Sequence, residues 1–200
     1  MSVDYRLAPE HKFPASWDDS FAAYQWAAQN AASLKGDPKR LALAGESAGG
    51  GLAVATAIAA RDAKVQMPLH VLSVYPIAQT GTDTESYTQH AMAKPLNKTM
   101  MQWFFGHATR NASDLKDPRM NLVGANLSGL PPVTIINAQI DPLLSDGVML
   151  EAALKKAGVQ VERRQYEGVT HELFGMAAVV KDAQDAQSYA GQRLRKAFGN

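Results

Sequence analysis

The chain has 200 residues, 46% of them hydrophobic and 20% charged, with a formal net charge of +1 and no cysteine. That is enough chain for one domain with a real core, at the composition of an ordinary soluble protein. The scattered Lys and Arg speak against nucleic acid and membrane partners, and the lack of cysteine excludes disulfides, thiolate catalysis and Cys-ligated zinc. Met1 leads straight into "SVDYRLAPE" with no visible signal peptide, and the expectation is a cytoplasmic location, although a cysteine-free chain tolerates oxidising and reducing compartments alike.

Residues 2–6 alternate and read as a short strand, followed by a proline-punctuated loop. From Ala15 to about Ser33 the apolar residues Trp17, Phe21, Tyr24, Ala28 and Ala31 recur at helical spacing. "KGDP" stops that helix. Residues 40–44 read as a strand, 48–63 as a helix of small residues and 69–76 as a strand. Residues 80–128 break the alternation. They are polar, rich in Thr and Asn, and carry one helical patch, "KTMMQWFFGHA", so they read as an insertion or cap within a single domain spanning 1–200. The order then resumes, with a strand at 132–137, a helix from Ser145 to Ala157, a strand at 159–166 and a final helix over 172–198. Strands alternating with helices imply an α/β fold with a mostly parallel sheet covered on both faces.

The stretch "LALAGESAGGGLAVATAIAA" places Gly45-Glu46-Ser47-Ala48-Gly49 between a predicted strand and a predicted helix. This fits G-x-S-x-G, in which a serine on a pinched strand-to-helix turn needs small neighbours two places away. The amide of Ala48, at the helix N-terminus, is positioned to donate to a developing oxyanion. A nucleophilic serine needs a base and an orienting acid, each from a later post-strand loop and the acid first. "INAQIDPLLSDG" offers Asp141 and Asp146. Asp141 lies nearer the strand end and is the expected triad acid, while Asp146 falls in the next helix start and is expected to favour its dipole. "YEGVTHELFG" offers His171 as the base. His11, His70, His90 and His107 read as structural or surface residues. No pattern of metal ligands appears, and neither a P-loop nor a dinucleotide fingerprint is present.

Four stretches, "DYRLAPEHKFPA", "GESAGG", "DPLLSDG" and "HELFGM", together resemble the hormone-sensitive-lipase-like branch of the α/β-hydrolases. The resemblance runs from residue 4 to residue 176. It implies a carboxylic ester hydrolase for short acyl chains that needs no cofactor and uses Ser47, Asp141 and His171. Glu46 fits the acid that the family places before its serine, and is grouped here with Trp103 and Phe104 as substrate-binding. Trp103 and Phe104, with Tyr87, Met92, Met100 and Met101, are candidates for an acyl pocket, though such helical spacing is more often plain core. The family also carries His-Gly-Gly-Gly ahead of "DYRLAPE", supplying most of its oxyanion hole, and this chain starts after that point. On that reading the first three strands and part of the cap, on the order of 100 residues, are missing. Residues 2–6 and 40–44 then either pair across the gap or leave an exposed edge, and reduced stability, a tendency to associate and weakened activity follow. A homodimer through the C-terminal strand and helix is the expected assembly by resemblance. The alternatives are a non-catalytic small-molecule-binding module or inactive fragment of this fold, and amide hydrolysis on the same residues.

Overall fold

A computed structural model describes residues 1–199; Asn200, the last residue of the expected domain, lies outside them. Four strands form one parallel sheet in the order β1-β2-β3-β4: β1 (Leu43–Glu46), β2 (Val71–Val74), β3 (Val133–Ile140) and β4 (Val161–Thr170). The helices are α1 (Ala15–Asn30), α2 (Ala48–Asp62), α3 (Glu85–Gln89), α4 (Lys98–Ala108), α5 (Leu144–Lys156) and α6 (Lys181–Ala197). No helix among the described residues is long and apolar enough to cross a membrane.

The two-residue alternation of the strands divides the core. Val71, Val133 and Ile135 point to one face, where they meet Val54 and Ala57 of α2 and Leu150 and Leu154 of α5. Leu72, Val74 and Ile136 point to the other, where Ala183, Ala186 and Ala190 of α6 cover them. The small residues of α2 let it lie almost on the sheet. A Cβ on Gly51 would stand 2.4 Å from the Ile77 carbonyl oxygen, and one on Gly50 would stand 2.9 Å from that of Val74. A third cluster joins Phe13 to Tyr87, Leu96, Met101, Phe105 and Met120. It gives residues 80–128 their own apolar centre without a strand.

Three expectations need correction. Residues 2–6 form no strand. Their polar groups bond to α1 instead: the Arg6 amide donates to Asp19 Oδ2 at 2.9 Å, its guanidinium to Asp19 Oδ1 at 2.7 Å, and Ser16 Oγ donates to the Arg6 carbonyl at 3.0 Å. β1 is thus paired only with β2, and its outer edge is open among the described residues. The final helix is also split. A 3-10 turn at Leu173–Met176 precedes α6, because Glu172 takes the left-handed conformation at φ 71° and Val180 is extended. The turn drops Leu173 into the core, a direction that a helix continuing from residue 172 would not give it.

The third correction concerns Asp146. It lies in the first turn of α5 but does not simply face the helix dipole. It is fully buried, and its carboxylate accepts from the Ala78 amide at 3.0 Å, the Gln79 amide at 3.2 Å and Gln79 Nε2 at 3.1 Å. It ties the chain leaving β2 to the start of α5. Burial pushes its pKa up to about 7, against the downward pull of those three donors.

Two outcomes follow from this packing. Leu150→Ala, at a fully buried position between α5 and the sheet, costs about 2–5 kcal/mol in urea unfolding. Asp146 has a folded pKa above its unfolded value near 4, so the protonated form favours the fold. That contribution is complete below pH ~4 and is lost as pH rises through about 7. Wild-type stability therefore falls over this window relative to Asp146→Asn, whose side chain does not titrate. Paired urea midpoints across the range check it, and a pH-independent difference between the two proteins counts against it.

Candidate active site

The site sits at the carboxyl ends of β1, β3 and β4, where parallel α/β sheets expose their loops. Ser47 follows β1 directly and begins α2, with φ 55° and ψ −118°, a strained conformation for a residue with a side chain. The strain is held from both sides. The Ser47 amide donates to the Val74 carbonyl at 2.9 Å, and its carbonyl accepts from Gly51 and Ile77 amides at 3.2 Å each. The turn is so tight that a Cβ on Gly45 would lie 2.2 Å from the Gly49 carbonyl oxygen. Gly49 itself would have open space around a Cβ, so the steric demand expected of both flanking glycines falls on Gly45.

β3 and β4 run further than their sequence patterns suggest, each ending one residue before a key side chain. Asp141 follows Ile140, and His171 follows Thr170. Both are buried. Asp141 Oδ2 lies 2.7 Å from His171 Nδ1, and Asp141 Oδ1 accepts from the Leu143 amide at 2.8 Å. Both carboxylate oxygens are therefore occupied. His171 Nε2 lies 3.0 Å from Ser47 Oγ. With Nδ1 donating to the acid, Nε2 is left as an acceptor for the serine hydroxyl. Residues from three separate loops thus form one hydrogen-bonded line, and each ring nitrogen has one hydrogen-bond partner suited to it, with the Glu172 carboxylate 4.0 Å from Nε2.

Ala48 opens α2, where the first-turn amides have no helical acceptor, and it is exposed beside Ser47. Both residues face a cavity of about 410 Å³. Trp103 and Phe104 of α4 stand on its wall, with Met101 and Phe105. Of the other pocket candidates, Tyr87 is buried in the third core cluster, while Met92 is exposed and away from the cavity. Glu46, expected beside substrate, does not line this cavity; its carboxylate accepts from the Tyr75 hydroxyl at 2.7 Å.

Several residues at the site were passed over in the sequence. Tyr5 and Leu7 of the N-terminal segment line the cavity, consistent with that segment being a loop and not a strand. His107 lines it too, edge-to-face with Trp103 at ring centroids 4.3 Å apart, and the four-residue spacing on α4 is the signal that places both on one face. Tyr75 is fully buried at φ 30°, with its ring 4.4 Å from that of His171. Burial first, then the Glu46 carboxylate, pushes its phenol pKa up, so Tyr75 stays a donor. His70 is buried with Nε2 2.9 Å from Thr134 Oγ1, and burial chiefly lowers its pKa to about 4, which keeps it neutral and structural.

A family profile described as alpha/beta hydrolase fold matches residues 1–175. "Carboxylesterase NlhH" of Mycobacterium tuberculosis is 38% identical over 203 residues, covering 99% of this chain and 63% of that protein. "Ethyl acetate hydrolase" of Pseudomonas putida is 32% identical, covering 92% of this chain and 59% of its own length. The hyperthermophilic esterase of Pyrobaculum calidifontis superposes with a TM-score of 0.95 at 35% identity, over 98% of this chain and 65% of that one. This chain therefore spans less than two thirds of the length of these relatives. With the profile matching most of the chain and the solved esterase sharing its fold, the chain belongs to the α/β-hydrolase fold family, in its hormone-sensitive-lipase-like branch.

Proposed function

We propose that this chain carries the serine, base and acid of a carboxylic ester hydrolase, with Ser47 as nucleophile, His171 as general base and acid, and Asp141 as the orienting carboxylate. One observation carries the reading: the continuous line from Ser47 Oγ through His171 to Asp141, with contacts of 3.0 and 2.7 Å. Hydrogen-bond reach between nucleophile and base, with the base oriented by a third group, is the geometric requirement for this chemistry. The relatives described as a carboxylesterase and an ethyl acetate hydrolase support an ester as substrate.

Each step follows from the placement of the groups. Ser47 Oγ attacks the ester carbonyl carbon as His171 Nε2 takes its proton. Asp141 holds the tautomer with hydrogen on Nδ1 and stabilises the imidazolium that forms. Negative charge then develops on the carbonyl oxygen, where the Ala48 amide, backed by the N-terminal end of α2, donates to it. The imidazolium returns the proton to the leaving alcohol, and the acyl group stays on Ser47. A water then attacks that acyl carbon as its proton passes to His171 Nε2, the bond to Ser47 Oγ breaks, and the imidazolium returns the proton to Oγ as the acid leaves. The apolar wall of Trp103 and Phe104 takes the hydrocarbon part of the ester, in a cavity of about 410 Å³. Among the described residues β4 pairs with β3 alone, and α6 lies beside it, so a second copy of the chain apposed through these elements is the partner this reading favours.

An alkyl fluorophosphonate that captures activated serines tests the proposal. Labelling is expected on the wild-type chain at Ser47 and is abolished in Ser47→Ala. His171→Ala lowers p-nitrophenyl acetate hydrolysis by about 10³-fold or more, down to the level of Ser47→Ala, because the residues act as a unit. Folded wild-type protein that takes no label, or hydrolysis unchanged in Ser47→Ala, overturns the assignment.

A further inference from the structure

Glu46 is the residue immediately before the proposed nucleophile, yet it does not face the cavity. The alternation of β1 explains where it goes. Leu43 packs on the α2 face of the sheet, so Glu46, an odd number of residues later, points to the α6 face. There it accepts from the Tyr75 hydroxyl at 2.7 Å. Tyr75 in turn lays its ring against the imidazole of His171, with centroids 4.4 Å apart and a tilt of 48°.

The imidazole has need of such a wall. Asp141 holds it at Nδ1 by one hydrogen bond, which leaves the ring able to pivot about that contact. Nε2 must nevertheless stay within reach of Ser47 Oγ, 3.0 Å away. Tyr75 occupies the space on one side of the ring. It does so at a cost, since φ 30° on a residue with a large side chain is a strained backbone. Such strain persists only where surrounding contacts over-determine it. Two contacts do so here: the Tyr75 amide donates to the Ile136 carbonyl at 2.6 Å, and its hydroxyl donates to Glu46. A phenol donating to a carboxylate is the stronger kind of hydrogen bond, though the exposure of Glu46 moderates it.

From this arrangement we infer that Glu46 and Tyr75 are a positioning pair, which holds the His171 imidazole in line with Ser47 and touches no substrate. The inference rests on the ester-hydrolase reading above. It ties the two halves of the site together mechanically. The turn that raises the nucleophile also carries, one residue earlier, the acceptor that anchors the wall of the base. A displacement of the ring by a fraction of an ångström to an ångström would reduce the chemical step by one to two orders of magnitude and leave binding nearly unchanged.

The experiment separates these effects by measuring inactivation by the alkyl fluorophosphonate as a maximal rate and a half-saturating concentration. Glu46→Ala and Tyr75→Phe are each expected to lower the maximal rate about 10-fold, with half-saturation changed by less than about two-fold. The double variant is expected to be no slower than either single one, because both remove the same hydrogen bond. Glu46→Gln keeps an acceptor oxygen and is expected to recover most of the loss. Wild-type rates in folded Glu46→Ala overturn the inference, as does a change confined to half-saturation, which would put Glu46 at the substrate after all. Additive losses in the double variant overturn it too. If Tyr75→Phe melts early, Glu46→Ala decides alone, since it removes an exposed carboxylate and keeps every apolar side chain of the core. Wild-type protein that takes no label at all is a different result, and it sinks the ester-hydrolase reading itself.

Discussion

The turn at Ser47 is the constraint on which the rest of the structure depends. Its backbone is strained at φ 55°, and it closes so tightly that Gly45 has room for no side chain against the Gly49 carbonyl. Strain of this kind costs on the order of 1–3 kcal/mol and must be repaid by its surroundings. Here the sheet and the helix repay it. β2 accepts the Ser47 amide, and the small residues of α2 allow the helix to pack within touching distance of the β2 backbone. Gly50 and Gly51 of α2 therefore help to hold the Ser47 turn in place.

Two aspartates five residues apart show how environment assigns different roles to one chemical group. Asp141 and Asp146 are both fully buried. Asp141 spends one oxygen on the Leu143 amide and the other on His171. Asp146 spends both on residues 78–79, bracing the segment that leads from β2 into the cap-like region. The Asp141 loop runs straight into α5, whose first turn carries Asp146, so the two aspartates share an element, the start of α5. Tyr75 plays the matching part on the opposite side of the sheet, where α6 and the Leu173 turn enclose it. The proposed base is thus set between a carboxylate at one ring nitrogen, a hydroxyl at the other and a phenol ring against its face.

How much of this was legible in the sequence depends on the range of the interaction. Glycine spacing and the change from strand-like to helix-like pattern at residue 47 are local, and they located the tight turn. Chain order and post-strand placement singled out Asp141 and His171 from the other acids and histidines. Local pattern failed where a segment's partners lie far off. Residues 2–6 alternate like a strand, yet Asp19 on α1 takes their polar groups. Residues 172–180 read as helix, yet the descent of Leu173 into the core breaks it. Trp103 and Phe104 look the same in sequence whether they face a core or a cavity. Only the position of α4 over Ser47 separates the two cases.

By itself, then, the sequence determined the α/β alternation, the pinched serine turn and the order of serine, acid and histidine. Each is written in short-range spacing or in chain order, and neither needs coordinates to be read. Tertiary structure decided that Asp146 is a buried brace, and that Glu46 turns away from the cavity to accept from the Tyr75 hydroxyl. Those outcomes depend on which face of the sheet a side chain points to and on what lies across from it. Both are set by the packing of segments far apart in the chain, on which the local pattern is silent.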